Sequence, residues 1–329
     1  MDLGESIISR SEVYIGPAGW SYPDWEGVVY PRPKPRSFDP LVYLSSYFNL
    51  IEINSTFYRI PTVATCRSWA RRVADQEGFA FSVKAFREFT HKRGPLHDHD
   101  VRAFTTAIAP LSEAGVLNTV LIQFPWSFKF SSDARDYVHT LTRRLSPVPV
   151  TVEVRHASWS ADASLDFFRE HDITLCGIDQ PIIGASLQPD VFSPGSAGCY
   201  FRLHGRNRAS WFDANANRDA RYDYLYDEAE LSDIHERIKR AAAPTRMHVV
   251  LNNHFRGQAV ANALQLKAML QGKKVPDPPQ LLARYPRLVD VLRPEQHRRP
   301  PATGNDTQGS LFEGQDEEQQ DDRPADDYL

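Results

Sequence analysis

SDARDYVHTLTRRLSPVPVTVEVR, residues Ser132–Arg155, holds a helix pattern and a strand pattern in direct succession. Tyr137, Leu141 and Leu145 recur at helical spacing and share one face, and Ser132 before Asp133 reads as a helix start. The run Val150–Arg155 then alternates. Val152 and Val154 fall on one face, and Thr151, Glu153 and Arg155 on the other. The same succession repeats through the chain. Short β-rich runs stand at Val13–Gly16, Leu50–Asn54, Phe79–Lys84, Thr119–Phe124, Val150–Arg155, Ile173–Ile178, Tyr200–His204 and Met247–Asn252. Helical periodicity fills the gaps, as with Val101, Phe104, Ile108 and Leu111, or Val260, Ala263, Leu264 and Leu270 ahead of a C-capping Gly272. Strand and helix in alternation imply parallel pairing with crossover helices. Eight units in about 270 residues match a parallel (β/α)8 barrel of TIM type. A doubly wound open sheet is the alternative, but no glycine-rich phosphate turn follows the first strand.

The expected barrel domain spans residues 13–290, and an acidic tail spans 291–329. The tail is rich in Pro, Gln and Asp and poor in apolar residues, a composition that predicts disorder. It holds ten acidic and four basic side chains; taking its −6 from the overall −4 leaves +2 for the rest of the 329 residues. The acidity of the whole chain therefore says little about what the folded part binds. The three cysteines, Cys66, Cys176 and Cys199, form no CxxC pair, so neither a zinc knuckle nor a disulfide framework is indicated. No apolar run approaches the roughly 20 residues of a membrane span, and no export signal is visible, so a cytoplasmic location is expected.

Strand phase points to chemistry. Glu52 and Asn54 oppose Ile51 and Ile53. Ser82 and Lys84 oppose Phe81 and Val83, and Gln123 opposes Ile122 and Phe124. Arg202 and His204 oppose Phe201 and Leu203, and Asn252 and His254 oppose Val249 and Leu251. If the apolar phase faces the helices, the polar phase fills the interior and crowds the C-terminal strand ends, where barrel enzymes place their sites. Interior charges are costly unless paired. A self-satisfied structural network, for example Glu153 with Arg155 or Lys84, is the alternative explanation.

GPAGWSYPDWEG (Gly16–Gly27), EINSTFYRIP (Glu52–Pro61), FAFSVKAFREFTH (Phe79–His91), QFP (Gln123–Pro125), VEVRHASW (Val152–Trp159), YFRLHGR (Tyr200–Arg206) and NNHFRGQAVANA (Asn252–Ala263) occur in this order. Together they resemble the family called domain of unknown function 72, over roughly residues 13–272. The resemblance implies a TIM-type barrel and a site at its strand ends, but no reaction. The first motif departs from the family's usual Gly-Thr-Ser-Gly-Trp, since Pro17 and Ala18 stand at its centre.

The candidate site groups by charge. Lys84, Arg155, Arg202 and Arg206 are cations, Glu52, Glu153 and Asp179 acids, and His156, His204 and His254 can titrate near neutrality. Asn54, Gln123, Asn252 and Asn253 add hydrogen-bonding groups, and Trp20, Tyr22, Tyr58 and Trp159 add aromatic faces. The leading expectation is an enzyme acting on an anionic substrate, of phosphodiester or nucleic-acid type. Lys84, Arg155 and Arg202 would stabilise developing negative charge, with Glu153 or Glu52 as general base and His204 or His254 as general acid. No cofactor is implied. A divalent metal on Glu52, Glu153, Asp179, His204 and His254 is an alternative that the few carboxylates do not favour. A glycoside hydrolase using Glu52 and Glu153 is a second reading. A non-catalytic adaptor is a third: Gln308-Gly309-Ser310-Leu311-Phe312 resembles the pentapeptide that docks bacterial repair proteins on the DNA sliding clamp, with Gln308, Leu311 and Phe312 as its determinants.

Overall fold

The computed structural model describes residues 12–293 apart from 93–95, 212–217, 242–245 and 277. Almost all of the acidic tail, including Gln308, Leu311 and Phe312, lies outside the described residues. The strands that build the site are β1 (Val13–Pro17), β2 (Leu50–Ile53), β3 (Ala80–Lys84), β4 (Leu117–Gln123), β5 (Val150–Glu153), β6 (Thr174–Leu175), β7 (Gly177–Asp179), β8 (Cys199–Leu203) and β9 (Met247–Leu251). Between them run α1 (Pro40–Ser45), α2 (Ser55–Tyr58), α3 (Val63–Arg72), α4 (Asp98–Glu113), α5 (Ser132–Leu145), α6 (Asp162–Glu170), α7 (Arg218–Tyr222) and α8 (Glu228–Ala241), with α9 (Gln258–Gln271) after β9.

All these strands pair in parallel, in one sheet of order β2-β3-β4-β5-β6 and another of order β1-β9-β8-β7. Each of the eight sequence runs is a strand, except that the sixth is interrupted at Cys176 and appears as β6 and β7. The Cys176 N–H still reaches Val152 O on β5 at 2.8 Å. Gly177 has a steric reason: a Cβ there would sit 2.7 Å from the Phe201 ring. At the other junction Ala18, just past β1, bridges Glu52 on β2, and the Gly19 N–H donates to Glu52 O at 2.8 Å.

The helices cover the apolar phase of the strands. On α4 the buried side chains are those expected from spacing, Val101, Phe104, Ile108 and Leu111. On α5 Leu141 and Leu145 are buried while Tyr137 is half-buried and donates its hydroxyl to Phe89 O. Each fully buried Leu or Phe contributes about 1.5–3 kcal/mol relative to exposure. The cap of α5 is Ser131, whose Oγ accepts from the Ala134 N–H at 3.1 Å, one residue before the expected start. Gly272 ends α9 with φ +61°, a left-handed conformation that glycine adopts without a Cβ clash. Helix α9 is buried on nearly every side because β1 and β9 lie under it, with α8 and the Val275–Arg293 segment around it. Among the described residues no helix is long and apolar enough to cross a membrane.

Candidate functional site

The polar strand phase meets across the space between the two sheets. Arg202 on β8 reaches into the opposite sheet, with Nη1 2.6 Å from Glu153 Oε2 and Nη2 2.6 Å from Glu52 Oε1. Glu153 Oε1 takes a second guanidinium, accepting from Arg155 Nε at 3.0 Å with Nη2 at 2.9 Å. Tyr200 donates its hydroxyl to Glu52 Oε2 at 2.9 Å, which leaves Ser82 Oγ, 2.7 Å away, to donate to the tyrosine oxygen. All five charged or phenolic groups are essentially inaccessible to solvent. Their phase explains the meeting: each alternates with an apolar neighbour that the helices cover. The inward-facing charges therefore need one another.

His204 completes the cluster. Asn252 Nδ2 lies 3.1 Å from His204 Nδ1, and with the amide so oriented Nδ1 accepts and the ring proton sits on Nε2. Nε2 faces Glu153 Oε1 at 3.2 Å. Burial pushes the imidazole down to about 4, against the pull of Glu153 in the other direction, so the ring is neutral at pH 7. Burial alone would raise the Glu153 carboxyl, but Arg202, His204 and Arg155 overcome it and hold the group well below the usual carboxylate range. Burial likewise works against the Arg202 charge, and Glu153 and Glu52 more than offset it.

Several predicted residues stand at or just past the C-terminal ends of the strands that carry this cluster. Lys84 ends β3 one inward step beyond Ser82, its Nζ 3.9 Å from the centroid of the Phe57 ring. Gln123 ends β4, with Oε1 3.5 Å from Arg202 Nη1. Asn54 follows β2 with a buried Oδ1, and Tyr58 packs edge-on against Phe57. His156 follows Arg155, its ring edge-on to Trp126 and its Nδ1 2.9 Å from Ser158 Oγ. Burial, with Lys129 nearby, lowers the His156 pKa.

Other predicted residues go elsewhere. Asp179 and Arg206 pair with each other, at 2.8 and 2.7 Å. Asp179 also takes Tyr226 and Arg237 of α8, so its side chain faces the helix layer and not the inter-sheet space. Burial would raise the Asp179 carboxyl, but Arg206, Tyr226 and Arg237 hold it below its ordinary value. Asn253 faces outward as well, donating to Tyr224 O and Asn262 Oδ1. Trp159 is core: its indole N–H donates to Phe128 O, and its ring packs on Phe128, Phe130 and Phe168. Trp20 packs on Trp69 and Phe81. Tyr22 donates to Ala18 O and stacks on Trp25 and His254, whose ring is sandwiched between Tyr22 and Tyr222. Trp20, Tyr22 and Trp159 are thus buried among other rings and form part of the scaffold. Of the alternative metal set, Asp179 is taken up by Arg206 and Arg237, and among the described residues no group of three or more His, Cys, Asp or Glu side chains is placed to hold a metal ion.

Two contributors escape the strand reading. Tyr200 shares the inward phase of Arg202 and was legible there, but an aromatic at a strand start reads as packing. Trp211, in the loop after β8, brings its ring to 6.0 Å from the Arg155 guanidinium and 6.2 Å from His204. No spacing rule places a loop residue over a strand end.

Fold and site thus define a parallel α/β protein with a charged, largely self-neutralised cluster between its sheets at the C-terminal strand ends. The chain belongs to the family described as "Protein of unknown function DUF72", whose model matches residues 14–283. It is similar to the UPF0759 protein YunF of Bacillus subtilis (strain 168), at 29% identity over 272 residues, covering 78% of this chain and 94% of that one. It also resembles the crystal structure of a DUF72 family protein, TM1631, of Thermotoga maritima MSB8, at 36% identity and TM-score 0.68, covering 79% of this chain and 99% of the other. A DUF72 family protein of Enterococcus faecalis V583, EF0366, gives 25% identity and TM-score 0.67, covering 79% and 95%.

Proposed function

We propose that the two sheets are halves of one closed eight-stranded barrel of TIM type, and that its C-terminal mouth is the active site of an enzyme for a small anionic substrate. Closure is supported by the Ala18–Glu52 bridge at one junction and the Cys176–Val152 hydrogen bond at the other. The observation that carries the functional reading is charge. Three buried cations, Lys84, Arg155 and Arg202, share the strand ends with two buried carboxylates, Glu52 and Glu153, and a neutral His204. A desolvated cation favours a bound anion far more than a surface one does.

Roles follow from what each group is already doing. Arg202 is held by both carboxylates and fixes the scaffold. Lys84, at the end of β3, and Arg155, just past β5, would hold the anion, Lys84 as a point charge and Arg155 through its planar fork. Glu153 is too well stabilised as a carboxylate to be an effective base, and neutral His204 cannot supply an imidazolium proton at pH 7. The chemistry that fits is electrostatic stabilisation of an oxyanion. A phosphoryl or carboxylate group of modest size suits it, because Arg155 is 1% and Lys84 6% exposed. Glycoside hydrolysis by Glu52 and Glu153 is not favoured: the Arg202 guanidinium lies between the two carboxylates, where a sugar would have to sit.

The test is calorimetric titration of wild type and Lys84→Met with inorganic phosphate and short carboxylates. Wild type should bind at least one of them, and Lys84→Met should weaken it about tenfold or more, the scale of losing a charge-assisted hydrogen bond. Wild type that binds none, or a variant that binds as wild type does, would overturn the reading.

A further inference from the structure

Gln180 stands immediately past β7 and is 3% exposed, yet among the described residues neither its Oε1 nor its Nε2 has a hydrogen-bond partner. Its direction follows from the chain on either side. Asp179 turns its carboxylate outward to Arg237 of α8, and Pro181 confines the residue before it to extended conformations, so strand alternation continues one residue beyond β7. Gln180 therefore takes the inward phase. Asp179 is in register with Leu203, and the His204 N–H donates to Asp179 O at 2.8 Å, so Gln180 lies at the level of His204. Gln123 on β4 repeats the pattern: it is 2% exposed, its Oε1 faces Arg202, and its Nε2 has no partner among the described residues. Buried polar groups in folded proteins are overwhelmingly hydrogen-bonded, because leaving one unmet is costly. On the inner faces, the whole Gln180 carboxamide and the Gln123 NH2 are open among the described residues, near Arg202 Nε and His204 Nε2, which also lack a hydrogen-bond partner there, and such groups are suited to something that enters.

We infer that Gln180, with Gln123 beside Arg202, is the specificity element of the site and reads a planar edge carrying a hydrogen-bond donor next to an acceptor. A carboxamide presents its oxygen and its NH2 side by side, so its complement is another such edge: an amide, a ureide, or the amino-and-ring-nitrogen edge of a nucleobase, which Gln reads bidentately. The inference rests on the anion-binding reading of Lys84 and Arg155, and it adds to that reading the second half of the ligand. The substrate class is a small anion bearing an amide-like or base-like edge.

The experiment compares two matched probe pairs by calorimetry. N-carbamoylglycine is set against 4-methylpentanoate, which keeps the carboxylate but replaces the ureide with an apolar group of similar shape. Adenosine 5′-monophosphate is set against ribose 5-phosphate. Wild type should prefer the first member of one pair by tenfold or more, and which pair responds distinguishes a ureide from a nucleobase. Gln180→Leu should erase that preference while leaving the other member's affinity unchanged. Lys84→Met should weaken both members alike. Gln180→Glu, nearly isosteric but without the NH2 donors, should lose the preference too, and it serves if the leucine variant does not fold. No preference within either pair, or a preference that survives both Gln180 variants, would overturn the role of Gln180 and leave the Lys84 effect standing. Failure of every probe to bind wild type would overturn both readings.

Discussion

His204 and His248 are buried imidazoles on the same inner phase, at opposite ends of their strands. His248 stacks on Tyr14 and Tyr200, with Nδ1 3.3 Å from Cys199 O and Nε2 3.1 Å from Asn118 Nδ2. Burial pushes it, like His204, down to about 4. The sign of the linkage follows directly. The unfolded chain takes up a proton at each histidine as pH falls through about 6.5, while the folded chain does not until about 4. Stability is therefore full above pH 6.5 and declines towards pH 4, by about 3 kcal/mol per histidine at roughly 1.4 kcal/mol per pKa unit. Glu153 and Asp179, whose carboxyls are held low, add a further loss below their ordinary range. Urea unfolding of wild type and His248→Gln at pH 7 and 4.5 checks this. The variant should lose about half of the histidine-dependent fall over that interval; an unchanged fall would remove His248 from the account.

At the scale of the element, alternation does most of the work. A strand with one helix-covered face must send its other side chains inward. Glu52, Ser82, Glu153, Arg202 and His204 were therefore readable as one inward set before any contact was known. Strand ends were less legible, because Asp179, the last residue of β7, and Asn253, just past β9, are taken by Arg237 and Asn262 of the helix layer. Helix starts shift for a related reason. Ser131 and Ser132 are both competent caps, and only the backbone geometry selects Ser131. Ser131→Ala should cost about 1 kcal/mol in denaturant unfolding, whereas Ser132→Ala should cost only a few tenths. Equal costs would show that the cap bond to Ala134 is not made.

At the scale of the whole molecule, Arg202 ties the two sheets together by holding Glu52 and Glu153 of the opposite sheet. Arg202→Met removes the cation that Glu52 and Glu153 share, leaving Glu153 with Arg155 alone, and should cost about 3–5 kcal/mol of unfolding free energy. Replacing Arg202, Glu52 and Glu153 together with Arg155, which Glu153 also holds, by apolar residues of similar volume should recover most of that loss, since desolvation then disappears with the charges. Chemical denaturation of the single and quadruple variants checks it; a quadruple variant as unstable as the single one would mean that the network does more than neutralise itself. The sequence by itself determined the succession of strand and helix, the parallel pairing and the inward polar phase, because these are local periodicities that each segment carries alone. It also carried the seven ordered motifs that mark the family. Only the tertiary structure decided which charges meet, that Arg202 is taken up by two carboxylates, that Asp179 turns outward, and that among the described residues the Gln180 carboxamide and Gln123 Nε2 find no partner. Partners 49 and 150 residues from Arg202 are chosen by register and burial across the fold, and no local pattern encodes that choice.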